Sequence, residues 1–420
     1  MEAMSQQIFN PKTRRGYALT TLVCFAMLIP SLQALNGQIT PNEIDGSSFL
    51  GHHSVSALFL TITPDARSAG IGEVGIASEP DINSQHWNPA KYAFIDGKGG
   101  VSANYTPWLT NLLPNMHLGY ISGYYRINDK NVLSSSFRYL SLGKVTFTNV
   151  AGIMDFSYHY ELAGDVAYSR KFTDHLSGGI ALRYIHSDVA PRQNTADGAE
   201  TRAGRSVAGD LSIYYQNRFG IGTKDARWAI GANISNIGIP ISYHTNSEYK
   251  TPIPTYLRIG SKVQIKLNKL NSISLMADVN KLMVPTQPVY DVDTVTGNLM
   301  VVRGKEVPES VLTGMIQSFS DAPGFLKSDR TYSVLQEEIS EINFSVGAEY
   351  WYDNTLAVRL GYHHEHQAKG NRRFFTMGIG GKYKFLSADI SYLMTVNGQN
   401  SPLANTFRFT LAAEFGKTSY

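Results

Sequence analysis

Four consecutive residues, His363-His364-Glu365-His366, carry the donor types of a transition-metal site. The surrounding segment alternates like a strand, so His364 and His366 share one face while His363 and Glu365 share the other. At most two imidazoles then converge, fewer than the three or four protein ligands a zinc site takes. No metal is expected here, and His52-His53 is equally short of a ligand set. Serine, histidine and aspartate are abundant, but no Gly-x-Ser-x-Gly elbow sets a nucleophile beside a base. A triad is defined by geometry rather than chain order, so one assembled across strands stays open. Its chemistry would be deacylation of a lipid or of an O-linked acyl group. The expectation is a protein that is not an enzyme, with no catalytic residue and no cofactor.

The most specific local pattern runs from Thr63 to Ala77, Thr-Pro-Asp-Ala-Arg-Ser-Ala-Gly-Ile-Gly-Glu-Val-Gly-Ile-Ala, with Asn88-Pro89-Ala90 after it. Gly70, Gly72 and Gly75 permit close backbone approach and unusual dihedrals. No strand–turn–helix unit surrounds them, so this is not a dinucleotide fingerprint. Pro64, Asp65, Arg67, the three glycines, Asn88 and Pro89 form a compact element suited to sitting inside a larger shell.

The N-terminus reads as an export signal. Lys12, Arg14 and Arg15 precede an apolar run from Ala18 to Ile29 that Pro30 ends, and Ala34 and Gly37 offer cleavage sites. Cleavage near 34–38 removes residues 1–37, and with them Cys24, the only cysteine. Val23 before it does not suit a lipidation site. The mature chain then has no disulfide, no thiolate ligand and no cysteine nucleophile. Its net charge falls from +3 to +1, as three bases and one acid leave, so no basic field for nucleic acid remains.

Charged residues make up only 17% of the chain, and tyrosine (24) outnumbers phenylalanine (19). Mean hydropathy is −0.18, and no run beyond the N-terminus is long and apolar enough for a membrane helix. Alternating strands hide their apolar residues from such an average. From about Gly99 onward the chain is a series of them. In the last, Phe407, Phe409, Leu411, Ala413 and Phe415 oppose Thr406, Arg408, Thr410 and Glu414. Around 256–267, Leu257, Ile259, Val263, Ile265 and Leu267 oppose Arg258, Lys262, Gln264 and Lys266. Fourteen such segments lie near 100–107, 115–127, 132–142, 160–172, 176–189, 205–218, 226–242, 254–268, 271–284, 341–353, 355–367, 373–385, 387–398 and 404–416.

Connections between them alternate short and long. Short turns fall at Asn128–Asn131, Thr173–His175, Asp353–Asn354 and Leu386–Ser387, and long loops at 143–159, 190–204, 240–253 and 285–340. Segregated loop lengths and an even strand count describe a membrane barrel. The expected fold is therefore an all-β, transmembrane antiparallel β-barrel of about fourteen strands over 99–420, preceded by a plug segment at 38–98. Charges on the polar faces, including Asp165, Arg183, Asp210, Lys262, Asp278, Glu349, Arg359, Lys382, Asp389, Arg408 and Glu414, must face the lumen. Rings near strand ends, such as Tyr105, Trp108, Tyr350, Trp351 and Tyr352, suit an interfacial belt. Within the longest loop, Val311, Leu312, Met315, Ile316 and Phe319 follow helical spacing. An exposed apolar stripe of that kind needs a partner.

The Gly-rich stretch and the run Ser84-Gln85-His86-Trp87-Asn88-Pro89-Ala90-Lys91-Tyr92, placed ahead of fourteen strands, resemble the FadL-like outer-membrane family. More narrowly they resemble the PorV family of the Bacteroidetes type IX secretion system, and the similarity runs through essentially the whole mature chain. Lys91 stands where FadL barrels continue Asn-Pro-Ala with glycine. The resemblance implies an outer-membrane protein that binds the C-terminal signal domain of cargo leaving a giant translocon barrel. It implies hand-over to a cell-surface sortase that attaches cargo to lipopolysaccharide. The implied partners are the translocon, cargo signal domains, the sortase and outer-membrane lipid, and not nucleic acid. A FadL-type channel for hydrophobic compounds and a lipopolysaccharide O-deacylase are the alternative readings.

Overall fold

In a bilayer no water pairs with backbone N–H and C=O groups, so alternating strands must close on themselves. The computed structural model describes residues 54–109, 115–148, 154–189, 200–245, 250–293, 297–327, 330–396, 403 and 405–416. The export signal at 1–37, Cys24 and His52-His53 lie outside the described residues.

The strands are β1 Gly99–Pro107, β2 His117–Arg126, β3 Asn131–Thr148, β4 Met154–Lys171, β5 Leu176–Asp188, β6 Gly204–Ile221, β7 Lys224–Gly238, β8 Tyr256–Lys266 and β9 Asn271–Leu282. Four short strands follow within the long loop: β10 Val289–Val292, β11 Leu299–Arg303, β12 Phe325–Leu326 and β13 Tyr332–Ser333. The wall then resumes with β14 Ile342–Tyr352, β15 Leu356–His364, β16 Arg373–Tyr383, β17 Leu386–Thr395 and β18 Thr406–Phe415. β1–β9 and β14–β18 make one closed, fourteen-stranded barrel in which sequence neighbours pair and β14 follows β9 directly. β1 closes the ring on β18, antiparallel, from Gly99↔Phe415 to Tyr105↔Phe409. An even strand number thus leaves both ends of the barrel on the short-turn side.

Local chemistry sets those turns. Asn128 and Asn268 each accept backbone hydrogen bonds two and three residues on, folding the chain back at the β2–β3 and β8–β9 corners. Asp353 and Asn354 both adopt positive φ, 51° and 48°, the backbone a two-residue hairpin with the right twist needs.

Side-chain alternation partitions the two solvents. In β18, Phe407, Phe409, Leu411 and Phe415 face outward while Thr406, Arg408 and Thr410 are buried within. Of the charges expected in the lumen, Lys382 lies on the inner face but is exposed at its strand's turn-side end, 4.8 Å from the Trp351 ring centre. Trp351 itself is turned inward over Arg359, and Trp108 lies near Arg408, so neither ring belongs to the outer belt. Tyr105, Tyr350 and Tyr352 do point outward.

Two connections differ from the sequence reading. The expected loop at 143–159 is mostly strand: β3 and β4 stay paired to Thr148↔Met154. Gly143, with φ 74°, sits at a bulge between Ser141 and Gly143 through which pairing continues. The turn placed at Leu386–Ser387 falls two residues earlier, where Lys384 has φ 54°. The region 285–340 is likewise structured. It holds the β10–β11 and β12–β13 ribbons and two helices, Val311–Gln317 and Val334–Ser340.

Candidate functional site

The described part of the segment before β1, residues 54–98, folds inside the barrel and touches the wall all the way round. At the loop-side mouth Phe59, Leu60 and Ile62 pack against Leu118, Leu140, Ile185, Ile241 and Ile253. At the opposite end Ile82, Tyr92 and Ile95 pack against Tyr124 and Val132. Between these apolar layers the contacts are polar and directional.

The sequence motif occupies this middle layer. Asp65 caps the helix Ala66–Gly70 by accepting from Ser68 N (2.8 Å), and its other oxygen accepts from Trp87 Nε1 (2.8 Å). Burial and the nearby Asp81 push the Asp65 carboxyl above its ordinary range. Arg67 donates twice to Glu349 of β14 (2.8 and 3.0 Å) and once to Asp81 (2.9 Å). Glu349 also accepts from Arg359 (2.7 Å), which reaches Asp389 (2.6 Å). Asn88 bridges the segment to the wall, donating to Ile76 O and to Ile213 O of β6 while accepting from Ala90 N. Pro89 opens the short 3-10 helix Pro89–Phe94, and its carbonyl accepts from Ser169 of β4 (2.7 Å).

The glycines matter because wall glycines face them. A Cβ on Gly72, whose φ is +79°, would lie 2.7 Å from Tyr362 N and from Val346 O, and one on Gly361 would lie 2.0 Å from Gly72 N. Gly70 meets Gly378 backbone to backbone in the same way. Gly75 lies under the Trp87 ring, and its N–H and that of Ile76 donate to Asp278 of β9 (2.7 and 3.0 Å).

Several residues outside the motif complete the lock. Gln85 links to Asp165 and Ser134, and Glu73 accepts from Arg408 (3.1 Å). Glu79 accepts from Lys262 and Arg227; burial pushes its carboxyl up, but these two cations outweigh that and hold it at about 2. Lys91 is fully buried and donates to Gly75 O (2.8 Å) and Ser78 Oγ (2.9 Å), with burial lowering its ammonium to about 8. Arg138 donates to His86 Nδ1 (2.7 Å), which fixes a neutral imidazole; burial and then Arg138 push its pKa well down. The partners of Gln85 and Lys91 come from distant strands or from the segment's own turns, so spacing along the chain carried no signal for them.

The His363–His366 run divides as a strand requires. His363 and Glu365 are buried inward, where Ser345 Oγ lies 2.9 Å from His363 Nδ1 and Glu365 pairs with Arg372 (2.9 Å). His364 stacks on Phe344 and His366 on Phe325. Among the described residues no three His, Cys, Asp or Glu side chains come together as a metal site.

A second constellation sits on the rim. Lys281 at the end of β9 pairs with Glu341 (2.6 Å) and Glu338 (3.2 Å), and Lys369 with Glu337 (2.6 Å) and Glu341 (3.0 Å). Glu338 and Glu337 also accept from Ala322 N and Gly324 N. This buried knot fastens the long loop to the barrel. Of the five residues expected to form one stripe, Leu312, Ile316 and Phe319 are exposed, Val311 is partly covered, and Met315 turns into the rim. Phe319 lies beyond the helix, its ring 5.3 Å from Lys281 Nζ. The second helix adds Leu335 and Ile339, both exposed, which the sequence reading missed.

A closed barrel with an apolar outer face, a charged interior and its own preceding segment folded into the lumen is an outer-membrane protein of the filled-barrel kind. A family model described as "Type IX secretion system protein PorV" matches residues 53–289, and the chain belongs to that family. No curated protein sequence matches it. Similar solved structures include the toluene transporter TbuX of Ralstonia pickettii (12% identity, 84% of this chain and 98% of that one, TM-score 0.43). The toluene transporter TodX of Pseudomonas putida is similar at 12% identity, over 82% and 95% of the two chains, with a TM-score of 0.41. A Pseudomonas aeruginosa FadL homologue is similar at 11% identity, over 85% and 99%, with a TM-score of 0.36.

Proposed function

We propose that this outer-membrane barrel is the non-enzymatic carrier of its secretion system: it takes the C-terminal signal domain of cargo at the translocon barrel and passes it to the surface sortase. The observation that carries this reading is the inverted polarity of the rim helix Val334–Ser340. Its acidic residues Glu337 and Glu338 are buried, while Leu335 and Ile339 are 71% and 58% exposed. A helix normally turns its apolar face inward. Leu312 and Ile316, 62% and 75% exposed, add a second apolar crest on the helix Val311–Gln317. Both helices belong to the loop side, away from the short turns. The lysine–glutamate knot holds the crest in place before any partner arrives, which lowers the ordering cost of binding. A channel would need the segment 54–98 to leave its polar lock, so the carrier reading is the one the arrangement favours.

The test is affinity purification of the tagged protein from outer membranes, with the double variant Leu312→Asp, Ile316→Asp beside the wild type. The wild type should bring down the translocon barrel and cargo tails. The variant should fold, as judged by heat-modifiable migration, yet lose them at least tenfold. Equal recovery by both proteins would remove the crest from the mechanism.

A further inference from the structure

Where β8, β9 and β15 end at the rim, the inner segment leaves part of the lumen empty. A cavity of about 30 Å³ lies there between Glu73 and Trp87 of the inner segment and Arg258, Asn280, His363 and Arg372 of the wall and rim. Arg258 is 7% exposed. Its guanidinium lies over the rings of Trp87 (5.6 Å) and Tyr256 (5.2 Å). Among the described residues it has no carboxylate within 4.0 Å and no hydrogen-bond acceptor. The other charges at the cavity are already matched, Arg372 by Glu365 (2.9 Å) and Glu73 by Arg408 (3.1 Å). Asp278, Asp210 and Glu73 act on Arg258 only from beyond contact distance, so one guanidinium at the cavity is left without a contact partner. His363 adds a second open group: its Nδ1 is engaged by Ser345, and its Nε2 is buried with no partner. A buried cation and a buried ring nitrogen without partners are both costly unless something fills the space between them.

We propose that this cavity is a binding site for one small monovalent anion of halide or formate size. Arg258 supplies the charge, and the Asn280 amide and His363 Nε2–H supply further donors. The cavity admits at least one water-sized group, and a single guanidinium without a contact partner suits a singly charged halide or formate better than the doubly charged sulfate. Bound there, the anion completes the charge balance on the loop side of the inner segment and ties β8, β9 and β15 to it.

Trp87 reports on the site, because bromide quenches an adjacent indole. The purified mature protein in detergent micelles is titrated with sodium bromide, with ionic strength held constant by sulfate. A saturable quenching phase is expected, displaced by formate and untouched by sulfate. It should vanish in Trp87→Phe and in Arg258→Gln, leaving only quenching linear in bromide from the exposed rings. Asn280→Asp places a carboxylate in the same cavity and should also abolish the phase, which keeps the test decisive if Arg258→Gln does not fold. Strictly linear quenching of the wild type would overturn the proposal. So would a saturable phase that survives in either folded variant.

Discussion

Arg67 meets Glu349 through two hydrogen bonds, and Glu349 in turn holds Arg359, so one carboxylate serves two buried guanidiniums. Removing its charge leaves both cations short of a partner in a site closed to water. Glu349→Gln is expected to destabilise the folded protein by about 3–5 kcal/mol, read as a lowered denaturant midpoint in detergent. Two groups of the inner segment set opposite pH responses. Glu79 is held at about 2 against an ordinary 4.5, so its stabilisation is fully present above pH 4.5 and is lost as pH falls toward 2. Lys91 is lowered to about 8 against 10.5, so between those values the unfolded chain holds the proton that the folded one has released. Stability from this group therefore rises with pH from 8 to 10.5. Thermal melts across pH 2–11 should show the acid loss, and Lys91→Met should flatten the alkaline rise. At this scale the sequence was informative about residue type and silent about pairing. Gly70, Gly72 and Gly75 stood out as positions for close approach, but that Gly378 and Gly361 face two of them follows only from strand register.

Elements were legible wherever one rule governs them. A strand between lipid and a polar lumen must alternate, so β8, β17 and β18 could be read residue by residue. The rule fails where a strand leaves the bilayer. Beyond Gly143, β3 and β4 stay paired to Thr148↔Met154, and a bulge breaks the phase of the pattern. The rim helices obscured themselves for another reason. Glu337 and Glu338 look like a solvated face, yet they point inward because Lys281 and Lys369, distant in the chain, wait beneath. That knot is what fixes the long loop. Lys281→Met should ease local opening by about 3 kcal/mol, raising protease cleavage within 285–340 roughly a hundredfold while the barrel keeps its heat-modifiable migration. Unchanged cleavage would mean that the ribbons β10–β11 and β12–β13 hold the loop without the lysine.

Across the whole molecule the two faces of one sheet do different work. The outer face spends its apolar residues on lipid, and the inner face spends its charges on the segment folded within it. That segment meets every side of the wall and occupies most of the interior. On the loop side, Leu312, Ile316, Leu335 and Ile339 are exposed and free to engage a partner. Its role is tested most directly by placing a photo-reactive amino acid at position 316 and irradiating living cells. The account predicts adducts containing the translocon barrel or the C-terminal signal domain of cargo. Irradiation that yields adducts only with lipid, or none at all, from a folded, surface-exposed protein would contradict it.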